Sequence, residues 1–302
     1  MTDPRQVLPW QCYMVTRRCV QRQFWLRPDE DVNQIWRYCL AEAAAHHHID
    51  VLFTTVMSNH HHTIVSDRYS REPNVIDFAA RLHRHVANCI NELRGRSENL
   101  WASEQMSLVA LQEPGDAMEK MVYAATNPVA ARLVERAHHW PGVNALSDVV
   151  NDRSTVVKRP QHYFRSDGDM PEEVTLRYVI PPELGKPSEV RATLRARVQA
   201  EEAALLRERR LHGRCVLGRR AVLRQRCSDT PVSREPRGEL RPHIAARSRW
   251  TRLGALRGLR EFRQAYRDAR AAFVVGKPAE FPPGTYWLRR FAGARVAQGP
   301  PT

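Results

Sequence analysis

Two short stretches hold the residue types that bond-breaking chemistry needs. The first is Met57-Ser58-Asn59-His60-His61-His62-Thr63-Ile64-Val65. In a β-strand, residues two apart face the same side, so His60 and His62 present two imidazoles side by side while His61 points away. Two imidazoles on one face are half of a metal site. The same run also reads as a solvated strand end. The second stretch is Met121-Val122-Tyr123-Ala124-Ala125-Thr126-Asn127-Pro128-Val129-Ala130-Ala131-Arg132-Leu133-Val134. Tyr123 and Asn127 stand four apart, which stacks a phenol and an amide oxygen on one helix face, a nucleophile and a metal ligand within one turn. Asn before Pro equally suits a helix start, and Tyr123 a half-buried aromatic. Two other histidine groups read differently. His46-His47-His48 closes a helical pattern, where cationic side chains are favoured. His83 and His85, two apart on a helix, diverge by about 200° and do not share an ion.

These side chains need elements to carry them. Residues 13–20 (YMVTRRCV) alternate as a strand, and 31–47 form a helix capped by Asp29 or Asp31, with Val32, Ile35, Trp36, Cys39 and Leu40 on one apolar face. Residues 49–58 and 61–65 form a hairpin turning near Ser58 and Asn59. A helix over 75–93 stops before Gly95, and a strand follows over 105–111. Pro114, Gly115 and Asp116 turn the chain into a helix over 117–126, which Asn127-Pro128 interrupts before it resumes through Val134 and Arg136. The order β-α-β-β-α-β followed by a helix predicts an α+β fold: a ferredoxin-like antiparallel four-stranded sheet with helices on one face, and a tyrosine-bearing helix after it.

Beyond Trp140-Pro141-Gly142 the composition changes. Residues 151–190 are rich in Pro, Asp, Glu and Lys around a β-prone VTLRYVIPP, 188–226 read as one long helix, and arginine is dense over 191–270. The chain divides into 1–150, carrying the chemistry, and 151–302, a basic, mainly helical extension expected to contact DNA. TYWLRR at 285–290 could dock on the core or contact bases.

The net charge of +14 and pI near 10.1 make polyanions, nucleic acid first, the expected partners. No stretch approaches the roughly 18 apolar residues of a membrane span, and the opening MTDPRQVLPW lacks the apolar core of a secretory signal. A cytoplasmic, nucleoid-associated protein of bacterial type with no membrane partner is expected. Cys12, Cys19, Cys39, Cys89, Cys215 and Cys227 form no C-x-x-C pair and read as small buried hydrophobes.

MSNHHHTIV resembles the histidine-bulky residue-histidine signature of HUH endonucleases. YAATNPVAARLV resembles the tyrosine motif of the REP-associated branch of single-tyrosine transposases. The resemblance spans roughly residues 8–146, with both motifs on the expected elements in the expected order. It implies that His60 and His62 bind a divalent metal, magnesium or manganese, that Asn127 supplies a third ligand, and that Tyr123 is the nucleophile. DNA transposition by metal-dependent cleavage and joining of single-stranded DNA, through a 5′-phosphotyrosine bond at hairpin or palindromic repeats, is the implied activity. The departure is His61, where a hydrophobic residue or tyrosine is usual, and which must pack toward the helix-covered side of the sheet. A non-catalytic binder of structured single strands on the same fold is the alternative, and a histidine-rich metal-handling protein a third reading that the arginine excess opposes. Single strands are held by basic grooves with aromatic platforms, which makes Arg17, Arg18, Arg22, Phe24, Trp25 and Arg27 the candidate DNA contacts. Either a monomer or a homodimer suits these features.

Overall fold

The computed structural model describes residues 4–232 and 242–298; the part of the arginine-dense stretch at 233–241 lies outside them. The first half runs β1 (Gln11–Arg18), α1 (Glu30–His47), β2 (Asp50–Met57), β3 (His60–Asp67), α2 (Val75–Leu93), β4 (Ser107–Leu111) and α3 (Pro114–Ala130). There follow α4 (Leu146–Val150), the hairpin β5 (Thr155–Lys158) and β6 (Glu173–Leu176), α5 (Pro187–Leu211), α6 (Arg219–Arg224), β7 (Ile244–Ala245), α7 (Arg249–Val274), β8 (Glu280–Phe281), α8 (Trp287–Ala292) and β9 (Arg295–Val296). The main sheet has the order β2-β3-β1-β4-β7. Its first four strands pair antiparallel, and the two-residue β7 joins β4 in parallel. The fold is α+β, with a mostly antiparallel sheet that gains a fifth strand from the second half of the chain.

Helices cover both faces of this sheet, where one covered face was expected. Consecutive residues on β3 report the two layers: His61 meets Trp36 of α1 and His83 of α2, while His62 meets Tyr123 of α3. Burial on both sides explains why β2, DVLFTTVM, is buried at every position and does not alternate between apolar and polar residues. Its outer edge is covered too. Val56 N–H donates to Val143 O at 2.9 Å and Ala145 N–H to Thr54 O at 2.9 Å, which removes an open strand edge.

Local signals set most boundaries. Asp29 is the cap of α1, its carboxylate accepting from Val32 N–H at 2.9 Å. The helix α3 differs from expectation in three ways. It begins at Pro114, passes unbroken through Asn127 and Pro128, and ends at Ala130, so Val134 and Arg136 are not helical. A proline lacks one N–H and crowds the carbonyl a turn earlier, yet α3 is held along its length against β1, β2, β3 and β4 and against α5, and that packing outweighs the local penalty. The helix expected over 188–226 is two, α5 and α6, because the chain takes left-handed turns at Gly213 (φ 59°) and Gly218 (φ 87°). Of the cysteines, Cys19, Cys39 and Cys89 are buried, but Cys215 is exposed and Cys12 and Cys227 are half-buried, so only three of the six are the buried hydrophobes expected.

The second half packs against the first. Val190, Leu194 and Val198 of α5 belong to the same apolar core as β1, β2 and α3. Buried Glu202 accepts from Ala137 N–H at 2.7 Å and from Arg136 at 3.1 Å, clamping α5 to the loop after α3.

Behind the sheet, His61 Nε2 and His83 Nε2 are 2.9 Å apart in full burial, with Trp101 against both rings. Burial above all holds both imidazoles well below their usual range, and the positive charge of Arg17 adds to the effect on each. Both are therefore neutral when folded, but take up protons near pH 6.5 when unfolded. Below that pH the unfolded chain binds more protons, so stability is lost as pH falls from about 6.5, by up to about 1.4 kcal/mol per pH unit for each histidine. Denaturant midpoints at pH 7.5, 6.5 and 5.5 measure this loss, and His83→Gln is expected to make it shallower.

Candidate active site

The antiparallel register between β1 and β3 pairs Thr16 with His62, Arg17 with His61 and Arg18 with His60. Paired residues share a face, so Thr16, Arg18, His60 and His62 line one side of the sheet while Arg17 and His61 line the other. Over the first side lies α3. The rings of His60 and His62 are 4.9 Å apart between centroids, and the ring of Tyr123 stands 5.2 Å from that of His62, edge to face. Asn127, one turn beyond Tyr123, places Nδ2 3.3 Å from His62 Nε2. His60, His62, Tyr123 and Asn127 are thus brought together from one hairpin and one helix. His62 is buried at 6% exposure, whereas Tyr123 is 48% exposed, so the phenol lies open to an incoming ligand.

Hydrogen bonds fix the protonation of both imidazoles. Asn59 Nδ2 donates to Arg22 O at 3.1 Å, which turns Asn59 Oδ1 toward His60 Nδ1 at 2.7 Å. An amide oxygen only accepts, so Nδ1 of His60 carries a proton. His62 follows the same logic: Asn127 Nδ2 donates to Nε2, and Nδ1–H donates to Thr16 Oγ1 at 2.8 Å. Burial above all, with the nearby charge of Lys120 in support, holds His62 well below its usual range and keeps it neutral. Neutral imidazoles tethered through Nδ1–H to an oxygen are the form in which histidine ligates a metal through Nε2. The donor set of two Nε2 atoms and the Asn127 amide fits one divalent cation, provided the amide turns to present Oδ1. Among the described residues there is no group of three or more His, Cys, Asp or Glu side chains, so a cation at this place would depend on the amide and on exogenous oxygen for its remaining positions.

Lys120 lies one turn before Tyr123, its Nζ 5.7 Å from the phenol ring centroid. Arg18, ion-paired with Glu104 at 3.6 Å and partly exposed, flanks His60 across the strand pair. Both bring positive charge to the rim of the site.

The remaining candidate DNA contacts are not gathered into one platform. Arg17 is on the face covered by α1 and α2, its guanidinium 5.6 Å from the Trp101 ring. Phe24 is buried at 8% exposure and offers no stacking face. Arg27 is held by Asp29 at 3.0 Å and by Gln225 O at 3.1 Å. Trp25 is half-buried, with Arg96 stacked on its ring at 3.8 Å. Arg22 stands at a left-handed turn (φ 61°), where its carbonyl orients Asn59. Of the six, Arg18 shares the face of the histidines. Sequence reasoning missed Thr16, Asn59 and Lys120. Asn59 was visible only as a turn former, Lys120 by its spacing of three from Tyr123, and Thr16 by no local signal, because its role depends on cross-strand register.

No family model matches the chain, and no curated protein does. Among solved structures, the chain is similar to a REP-associated tyrosine transposase bound to a REP hairpin, at 15% identity and a TM-score of 0.42, over 60% of this chain and 100% of that one. It is also similar to a candidate transposase from Deinococcus radiodurans R1, at 16% identity and a TM-score of 0.30, over 40% of this chain and 93% of that one. No helix among the described residues is long and apolar enough to cross a membrane.

Proposed function

We propose that the chain is a single-tyrosine HUH-type DNA transposase of the REP-associated branch, which cuts and rejoins single-stranded DNA beside a hairpin. The observation that carries this reading is the meeting of a half-exposed phenol, Tyr123, with two tethered imidazoles, His60 and His62, and the amide of Asn127. The two sequence motifs and the order β1-α1-β2-β3-α2-β4, with strands in the spatial order β2-β3-β1-β4, support a ferredoxin-like core of the HUH kind. His61, the unusual middle residue, faces the opposite layer and leaves the site's side of β3 to its two neighbours.

His60, His62 and Asn127 would hold one magnesium or manganese ion. That ion, when bound, neutralises charge that accumulates on the phosphate oxygens during displacement. The protein's own residues do the rest. Tyr123 Oη attacks phosphorus; its proton leaves to solvent, the P–O3′ bond breaks, and the departing 3′-oxygen takes up a proton. The products are a 5′-phosphotyrosine ester and a free 3′-hydroxyl. A second 3′-hydroxyl attacking that ester joins the strands and restores the phenol, so no nucleotide cofactor is consumed. Lys120 and Arg18 supply positive charge that draws the backbone to the rim.

Incubating the full chain with a hairpin bearing a single-stranded flank tests the reading: strand cleavage in the presence of manganese and none in excess chelator is expected. Salt-sensitive binding without cleavage under any divalent ion would instead make the chain a non-catalytic binder. Thr16→Val removes the oxygen that holds His62 Nδ1–H, and the expected result is a metal requirement shifted about 10- to 100-fold higher, with cleavage restored at high manganese. A manganese titration of the cleavage rate measures that shift.

A further inference from the structure

Seven arginines lie on α7: Arg249, Arg252, Arg257, Arg260, Arg263, Arg267 and Arg270, against only Glu261 and Asp268 of opposite sign. At about 100° per residue all seven fall within an arc of about 140°, and they extend over about 31 Å of helix. The two acids lie at the flank of that arc. The face beside that arc is apolar and packed: Leu259 and Phe262 are buried, and Tyr266 and Phe273 sit 5.5 and 5.7 Å from the ring of Phe281 on β8, while Leu253 and Leu256 are exposed among the arginines. So the apolar face of this amphipathic helix is used inside the protein, and its cationic face is turned outward.

Some arginines elsewhere in the fold pair with carboxylates, as Arg81 with Glu42, Arg191 with Asp152, Arg197 with Glu119 and Arg209 with Glu135. On α7, Arg249, Arg252, Arg257, Arg260, Arg267 and Arg270 are exposed and form no ion pair among the described residues. Six guanidinium groups in one row, with no ion pair among the described residues, raise the self-repulsion of the folded state. A polyanion of matching length relieves it.

The row is also tied to the candidate active site. Arg247 N–H donates to Asp116 Oδ1 at 2.8 Å, and Thr251 Oγ1 donates to Glu113 at 2.6 Å. Glu113 and Asp116 form the capping box that starts α3, the helix bearing Tyr123. The first turns of both helices are therefore fixed to each other.

We propose that the arginine face of α7 is a docking surface for the phosphates of double-stranded DNA, the stem beside the strand that enters the tyrosine site. This rests on the DNA-processing reading above. A straight row of cations about 31 Å long suits a stiff duplex, whose axis carries one charge per about 1.7 Å, better than a flexible single strand, which is held in grooves with stacking aromatics. Contacts to phosphates, as distinct from base edges, carry no sequence information, so a duplex held by them alone is bound independently of sequence.

The test compares the full chain with the triple variant Arg249→Gln, Arg260→Gln, Arg267→Gln, whose helix content is checked by circular dichroism. Binding to a blunt 20-base-pair duplex and to an unstructured single strand of equal length is measured over a range of salt concentrations. Loss of three phosphate contacts lowers the slope of log K against log salt by about 2.7 for the duplex, with a smaller change for the single strand. Unchanged duplex affinity and slope overturn the proposal, as does an equal loss on both ligands. If the triple variant does not fold, Arg267→Gln alone is expected to lower the slope by about 0.9. Loss of binding to phosphatidylserine vesicles with duplex binding intact would assign the face to a membrane instead. Because duplex binding is read without cleavage, a chain that never cleaves DNA yet loses duplex affinity in the triple variant overturns the transposase reading alone. A chain that cleaves hairpins but is indifferent to the triple variant overturns the docking surface alone.

Discussion

Tyr123→Phe is expected to reduce cleavage of the hairpin substrate by on the order of 10⁴-fold or more, while its affinity for that substrate stays within about twofold of the native chain. The substitution removes one oxygen and keeps the ring that lies edge-on to His62. A residue 48% exposed, changed by so little, costs the fold about 0.5 kcal/mol or less, so lost activity would not reflect unfolding. Quantitative cleavage and electrophoretic binding assays on the same preparation separate the two effects. Retained cleavage would remove Tyr123 from the chemistry, whatever the neighbouring histidines do.

The second large effect concerns His62. Its Nε2 faces Asn127 and its Nδ1 is tethered to Thr16, so it is the hinge between strand and helix in the site. Replacing it by alanine is expected to lower cleavage by on the order of 10³-fold, with no recovery at high manganese. That separates it from Thr16→Val, where the ligand remains and only its orientation is relaxed. His62 is buried, and its loss leaves the Thr16 hydroxyl without this partner, so a stability loss of about 1–3 kcal/mol accompanies the change. Thermal melts set the assay temperature below the variant's transition. Cleavage within tenfold of native would mean that His62 is a core histidine packed under Tyr123 and nothing more.

Much of the site was legible because two local periodicities suffice for it. A period of two on β3 puts His60 and His62 on one face and sends His61 to the other. A spacing of four on α3 aligns Tyr123 with Asn127. Strong apolar patterning likewise placed the helix over 75–93. What sequence reading missed depends on contacts between distant segments. Thr16 orients His62 only through the β1–β3 register, and Phe24, charged neighbours notwithstanding, is buried by segments far along the chain. The continuity of α3 through Pro128 went unseen for the same reason, since a local stop signal was overridden by packing against the sheet and α5. The second covered face of the sheet and the pairing of β7 with β4 also come from residues that periodicity in the first half does not report.

The central claim is that the phenol of Tyr123 becomes joined to a DNA 5′-phosphate. Full-length protein reacted with a hairpin substrate in manganese, denatured, digested with protease and nuclease, and examined by tandem mass spectrometry tests it most directly. The expected product is a nucleotide 5′-phosphate attached to the peptide containing Tyr123, formed only with the divalent ion present. A nucleotide on any other side chain, or cleaved DNA whose new 5′-phosphate ends are all free of protein, would contradict it.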